Sequence, residues 1–384
     1  MSNNPNVPQS FTTLLPGDPA PWFHQRSGSN PRYAFSTAAG RYIVLGFYGS
    51  AGDSRGRNAI KEVFARRSFF DDERACFFGV SVDPQDEAEN RVADSMPGLR
   101  FLWDFDGTVS RLYGAIPSDV APSKAGKQLR FWIVLDPMLR VLKVFPFVDN
   151  GRDVADLFAY LDTLGPPDRF AGFEIPAPIL ILPNVFELDF CRRLIGLYEQ
   201  HGGQESGFVR EVEGKTVLVT DAKHKRRKDY DIGDPELIKA IQARIQRRVA
   251  PEIQKVHHFK VTRMERYIVS CYAVEDGGHF APHRDNTTKG TAHRRFAISI
   301  NLNADFEGGE ISFPEYGPRS YKAPPGCAIV FSAPLLHAVS RVTKGRRYAF
   351  LPFVYDEAAA KVRAANNAFL GEGIGSYGEA RVPA

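Results

Sequence analysis

The stretch from Arg266 to Asp356 limits the fold more than any other part of the chain. Apolar, strand-like runs alternate there with turns rich in Gly and Pro, and four polar residues sit at fixed places among them. His283 and Asp285 are two apart at the end of one run, so on an extended backbone their side chains leave the same face. His337 follows a second run, Cys327–Phe331, and Arg347 follows His337 by ten residues across the turn at Lys344-Gly345. Two imidazoles and one carboxylate make a facial triad, which fills three positions of an octahedral Fe(II) and leaves three open. A bidentate 2-oxo acid can take two of these and O2 the third. A neighbouring arginine suits the far carboxylate of such an acid, because its planar fork pairs carboxylates through two parallel bonds. A His-x-Asp by itself is most often a solvated loop; His337 and Arg347 at compatible spacing are what give it meaning. His279 and His293 do not fit the set, and His279 reads as a surface residue. His257 and His258 would alternate across a strand and so cannot share one face.

At 384 residues the chain has room for two domains. Its composition, 43% hydrophobic and 24% charged, is that of a soluble globular protein able to bury a core. It has no apolar run of roughly eighteen residues, so no membrane span is expected. The segment Met1–Phe23 lacks the basic start and apolar core of a signal peptide. The four cysteines (Cys76, Cys191, Cys271, Cys327) are scattered in apolar contexts without Cys-x-x-Cys, which points to buried thiols in a reducing cytoplasm. A formal charge of +4 is too mild to indicate nucleic acid.

Taken in order, residues 1–15 read as a flexible start and 16–165 as an α/β domain. Its elements are a buried strand at Tyr42–Tyr48, a helix at Asn58–Phe69, a second strand at Cys76–Asp83 and a charged helix at Pro84–Asp94. Two strands, Phe131–Leu135 and Val141–Phe147, and a helix, Val154–Leu164, complete a mixed sheet covered by helices. Residues 166–175 are Pro- and Gly-rich and read as a linker. Residues 176–365 read as a second domain. It opens with a strand, Pro178–Phe186, and a helix, Glu187–Gln200. The charged run Lys223–Asp231 follows as a solvated loop, with contact to substrate as the alternative. A helix at Pro235–Ala250 is ended or kinked by Pro251. About eight strands in two facing sheets then fill Phe259–Tyr355, with Arg347–Tyr355 as the last. Residues 366–384 read as a flexible or lightly docked tail.

The stretch that carries His283, Asp285, His337 and Arg347 resembles the catalytic barrel of the Fe(II)/2-oxoglutarate dioxygenases, and within them the prolyl 4-hydroxylase branch. Tyr272, after Cys271, matches the tyrosine that often contacts 2-oxoglutarate. Gly308–Phe313 matches the branch's Gly-Gly-Glu-x-x-Phe stretch, whereas a position where some relatives carry a second tyrosine is Asn301. The resemblance implies a double-stranded β-helix, or jelly roll, with flanking helices. It implies His283, Asp285 and His337 as metal ligands, and Arg347 with Tyr272 on 2-oxoglutarate. Fe(II), 2-oxoglutarate and O2 are the implied cofactors, with ascorbate as reductant. The implied reaction hydroxylates an unactivated C–H and releases succinate and CO2; a carboxylate at Asp285 favours this over halogenation. A prolyl or other protein residue is the expected substrate, with a small molecule or free amino acid as the rival.

The first domain resembles the thioredoxin-fold peroxiredoxins. The matching words are Pro16–Pro21, the strand ending in Phe47-Tyr48, Gly79–Asp83, Trp103–Thr108, and Arg130 before Phe131–Asp136. That family's peroxidatic cysteine falls at or near Gly56, and no cysteine precedes Cys76. Peroxide reduction needs a thiolate, so a non-catalytic binding or docking domain is expected, with Arg130 left without its anion. Homo-oligomerisation through this domain is one expectation. A redox-linked binding protein without turnover is the alternative of another class. Membrane and nucleic acid are not expected partners, and the expected location is cytoplasmic.

Overall fold

The computed structural model describes residues 10–118, 128–371 and 374. They form two compact units. One takes the chain as far as Pro176 together with Pro314–Gly317, and the other takes Ala177–Phe313 and the chain from Pro318 onward. The Pro- and Gly-rich segment around the short 3-10 turn Pro167–Arg169 thus lies in the first unit.

In the first unit, runs of consecutive apolar residues become strands buried on both faces, as a helix-covered sheet requires. Tyr42–Gly49 and Ala75–Ser81 are buried at every position. The sheet order is Leu99–Trp103, Ala75–Ser81, Tyr42–Gly49, Phe131–Leu135, Val141–Pro146. The first three strands are parallel and the last two join antiparallel. Leu99–Trp103 and the short helix Thr108–Leu112 are absent from the sequence reading. The first long helix is Ser54–Ala65 rather than 58–69, because the Asp53 carboxylate accepts the Gly56 N–H and starts it early. The helix from Pro84 stops at Ala88, and Asn90 is left-handed at φ 51° just beyond.

Arg130 does have an anion, contrary to expectation: its Nη1 and Nη2 donate to the two Asp53 oxygens at 2.8 and 2.6 Å. A Cβ on Gly56 would lie 1.9 Å from the Ser50 carbonyl oxygen, so this turn is closed to any side chain. Cys76 is buried, and burial pushes its thiol up to about 12.

The second unit is built on two sheets. The smaller has the order Lys225–Arg226, His279–His283, His337–Val339, Ile311–Ser312, Ser320–Tyr321. The larger runs Arg263–Glu265, Phe353–Tyr355, Phe296–Asn301, Lys344–Phe350, Ile268–Ala273, Lys228–Asp231, Gln204–Glu205, with Ala328–Ser332 and Leu180–Leu182 added beside Phe296–Asn301. Helices Leu188–His201, Pro235–Arg248 and Ala250–His257 lay Leu194, Ile241, Ile245 and Ile253 in one core with strand residues such as Val269, Ile298 and Phe350. Pro251 falls in the first turn of its own helix, where a missing N–H is harmless, so the helical stretch is broken at Val249. His257 ends that helix and His258 is left-handed, so neither is in a strand. The expected strand Arg347–Tyr355 is two, parted at Pro352.

The charged run is also corrected. Lys225–Arg226 and Lys228–Asp231 are strands, with Lys225 and Arg227 buried. The hairpin Phe208–Val212/Lys215–Val219 turns through Glu213 and Gly214, both at positive φ. It and the helix Glu357–Ala365, capped by Asp356, were not foreseen. Of the tail, Asn366–Phe369 is a 3-10 turn and Leu370 bridges to Thr216, while residues 372–373 and 375–384 lie outside the described residues. Among the described residues, no helix is long and apolar enough to cross a membrane.

Candidate active site

The smaller sheet sets the two histidines opposite each other. Strands His279–His283 and His337–Val339 pair antiparallel with His283 against His337, so both rings leave the same face, 4.2 Å apart. Asp285 is two residues further on, and its backbone N–H donates to the Ala333 carbonyl at 3.0 Å, which fixes the returning turn. Asp285 Oδ1 is 3.6 Å from His283 Nε2 and its Oδ2 is 3.3 Å from His337 Nε2. One donor atom from each of the three lies within 4.8 Å of the others.

The second ring nitrogens decide the chemistry. His283 Nδ1 donates to the Ala281 carbonyl at 2.8 Å, and His337 Nδ1 to the Leu335 carbonyl at 3.0 Å. A carbonyl only accepts, so Nδ1 carries a proton in both and Nε2 is the ring atom turned toward Asp285. Burial, then the neighbouring His337, holds His283 well below the usual histidine range, hence neutral. Two imidazole Nε2 atoms and a carboxylate thus converge on one point, and such an N/N/O set suits Fe(II). Phe280 stacks on His283 at 3.5 Å and Phe331 lies 4.6 Å from His337, which restricts both rings.

The larger sheet supplies the cationic wall. Tyr272 pairs directly with Arg347 across Ile268–Ala273 and Lys344–Phe350. Arg347 is 2% exposed; its Nε donates to Asn301 Oδ1 and its Nη2 to Ser299 Oγ, both at 2.9 Å. Nη1 is buried without a partner. An unpaired buried donor costs about 1–3 kcal/mol, more on a charged group, so Nη1 marks the place of an acceptor. Asn301 supports the guanidinium from behind. Arg346, on the opposite face, is exposed and pairs with Glu275 at 3.1 Å. His279 contacts the Gly277 and Lys223 carbonyls and His293 contacts Glu265, both apart from the three converging groups.

A cavity of about 60 Å³ is lined by all five of these predicted residues and by two further cations, Arg227, from the charged run, and Arg266. Arg227 is buried. It donates from Nη2 to Asp229 Oδ2 at 2.7 Å and from Nη1 to the Tyr272 hydroxyl at 3.3 Å, and its Nε has no partner. Burial alone would raise Asp229, but Arg227, Arg266 and Lys225 hold it well below the usual carboxylate range. Burial, then Arg227, lowers the Arg266 guanidinium to about 10. Arg266 sits at φ 65°, a conformation that costs a side-chain-bearing residue about 1–3 kcal/mol and gathers at functional sites. The sequence carries no periodic signal here, because Lys225, Arg226, Arg227, Lys228 and Asp229 are charged at every position and the two faces of a strand look alike.

Comparison with known proteins finds two family models along the chain. Residues 267–355 match the model of the 2OG-Fe(II) oxygenase superfamily. The C-terminal half of the chain carries a 2OG-Fe(II) oxygenase domain. Residues 16–144 match the AhpC/TSA family, so a thioredoxin-like AhpC/TSA domain precedes it. A PKHD-type hydroxylase of Synechococcus sp. (strain JA-2-3B'a(2-13)) is 32% identical over 94 residues, 23% of this chain and 41% of the relative. A PKHD-type hydroxylase of Pseudomonas fluorescens (strain Pf0-1) is 29% identical over 181 residues, 44% of this chain and 75% of the relative. The chain thus spans about two fifths of the length of the first curated relatives it matches. Among solved structures, a prolyl hydroxylase from Trichoplax adhaerens, in complex with a hypoxia inducible factor peptide fragment, aligns at 18% identity with a TM-score of 0.39, over 49% of this chain and 86% of that one. The oxygenase match contains His283, Asp285, His337, Arg347 and Tyr272; Arg227 and Arg266 lie before it.

Proposed function

We propose that the chain is an Fe(II)- and 2-oxoglutarate-dependent dioxygenase that hydroxylates an unactivated C–H of a prolyl or other protein residue, with release of succinate and CO2. The observation that carries this is the convergence of His283 Nε2, His337 Nε2 and the Asp285 carboxylate on the cavity that also meets the unpartnered Nη1 of Arg347. Bound iron would supply activation of O2 and attack on the C–H, which no side chain here can perform. The chain's own part is positioning. His283, Asp285 and His337 hold the ion from one side. Arg347, kept in plane by Asn301 and Ser299, takes the far carboxylate of 2-oxoglutarate, with the Tyr272 hydroxyl beside it. Phe280 and Phe331 keep water from the back of the imidazoles. Ascorbate is the proposed reductant that returns iron to the divalent state.

Fe(II)-dependent formation of succinate from 2-oxoglutarate tests the reading, and a binding protein without turnover would form none. A small-molecule substrate is the second reading, favoured by the limited volume of the cavity. Peptide and metabolite pools offered in parallel, with succinate as the readout, separate the two. For the first domain we propose a docking or assembly role, supported by the closed turn at Gly56, the Asp53–Arg130 pair and the raised Cys76 thiol.

A further inference from the structure

The proposed reaction accounts for every charge lining the cavity except one. Fe(II) is balanced by Asp285 and the chelating carboxylate of 2-oxoglutarate, and Arg347 by the far carboxylate. Arg227 has Asp229 at 2.7 Å. Arg266 has only a long share of that same carboxylate, Nη2 to Oδ2 at 3.4 Å, and Asp229 is already engaged by Arg227 and by the Ser270 hydroxyl. Arg294, which packs over the same Phe353 ring as Arg266, has its own anion in Glu265 at 2.8 Å. A half-buried cation held at a strained backbone position is stabilised by an anion of its own, and the buried unpartnered Nε of Arg227 offers a further donor on the same wall.

We infer that Arg266 binds a carboxylate of the primary substrate, so that the substrate is a small carboxylic acid, such as a free amino acid, or a chain-terminal residue, rather than a neutral residue inside a polypeptide. This rests on the oxygenase reading above and narrows its substrate, in favour of a small acid or a chain end and against an internal prolyl residue. A cation without an anion of its own matches an anionic group, and a planar guanidinium, here 5.5 Å from the Phe353 ring centre, can pair a carboxylate through two parallel bonds.

The test is equilibrium binding to the full chain loaded with Zn(II) and 2-oxoglutarate. Three matched probe sets are compared: free amino acids, N-acetyl amino acids and N-acetyl amino-acid amides. Binding is expected in one or both acid sets and lost in the amides. Free acids alone would identify a free amino acid and N-acetyl acids a chain-terminal residue, whereas binding by the aspartate and glutamate amides alone would mean an internal side-chain carboxylate and overturn the inference. Arg266→Gln is expected to weaken the bound probes about tenfold to a hundredfold, the worth of a hydrogen-bonded charge, with Arg266→Lys intermediate. Neutral amides bound as tightly as acids, no probe bound at all, or equal affinity in folded Arg266→Gln each overturn the inference. The acid–amide comparison in the unaltered protein does not depend on the variant folding. Fe(II)-dependent succinate formation by the same unaltered protein reports separately on the oxygenase reading: its presence without carboxylate preference sinks the inference alone, and its absence sinks the reading beneath it.

Discussion

Arg346 and Arg347 are neighbours in sequence and meet opposite environments, which makes them a matched pair for testing the cosubstrate site. Arg347 is buried with one guanidinium N–H unpartnered, whereas Arg346 is exposed beside Glu275. Arg347→Ala should raise the 2-oxoglutarate requirement by about 2–3 kcal/mol, roughly thirty- to a hundred-and-fifty-fold in KM or Kd. Arg346→Ala removes an exposed ion pair and should shift it by under about 1 kcal/mol. Equal losses in the two would mean the strand register is misassigned. At the same scale, Cys76 is a buried thiol pushed up to about 12 in a strand, which gives no thiolate at neutral pH. Thiol-dependent peroxide consumption by the full chain should be absent, and any residual rate should be the same in Cys76→Ser.

At the scale of elements, the hairpin Phe208–Val219 meets the site through His224, whose ring lies 4.3 Å from Phe208 and 5.5 Å from Phe280. Burial, then Arg210, lowers His224 to about 4. The folded chain therefore gives up a proton that the unfolded chain keeps below about 6.5. The associated stability is present above pH 6.5 and is lost as pH falls toward 4. In metal-free protein, denaturant unfolding should show a loss on the order of 1–2 kcal/mol between pH 7 and 5 from this group, reduced in His224→Phe. An unchanged slope in that variant would remove His224 from the account. The elements also show what the sequence made legible. Tyr42–Gly49 is a run without a charged residue and reads directly as a buried strand. The triad was legible because strand periodicity and a fixed register carry His283 and His337 to one face. Arg227 was hidden because its charge suggested solvent, and only long-range packing against Asp229 and Tyr272 makes a buried guanidinium tolerable. Arg266 precedes its strand at a positive φ that no residue type announced. The hairpin strands are half exposed and charged, so they carried little apolar pattern. Helix ends moved where a side chain such as Asp53 capped earlier than the apolar spacing suggested.

At the scale of the whole molecule, the account assigns chemistry to the second unit and a surface role to the first. Removal of residues 1–165 should spare uncoupled 2-oxoglutarate turnover while weakening coupled hydroxylation of the native substrate or changing the mass in solution. Unchanged substrate kinetics and unchanged mass in a soluble truncation would contradict that role. The central claim is that one cavity in the second unit holds iron through three side chains. Its most direct test is bound iron measured together with Fe(II)-dependent succinate formation in the full chain and in His283→Ala, Asp285→Ala and His337→Ala. The account predicts stoichiometric iron and succinate in the unaltered protein, and loss of succinate in each variant with little change in melting temperature. Full succinate formation in any one of the three would contradict it.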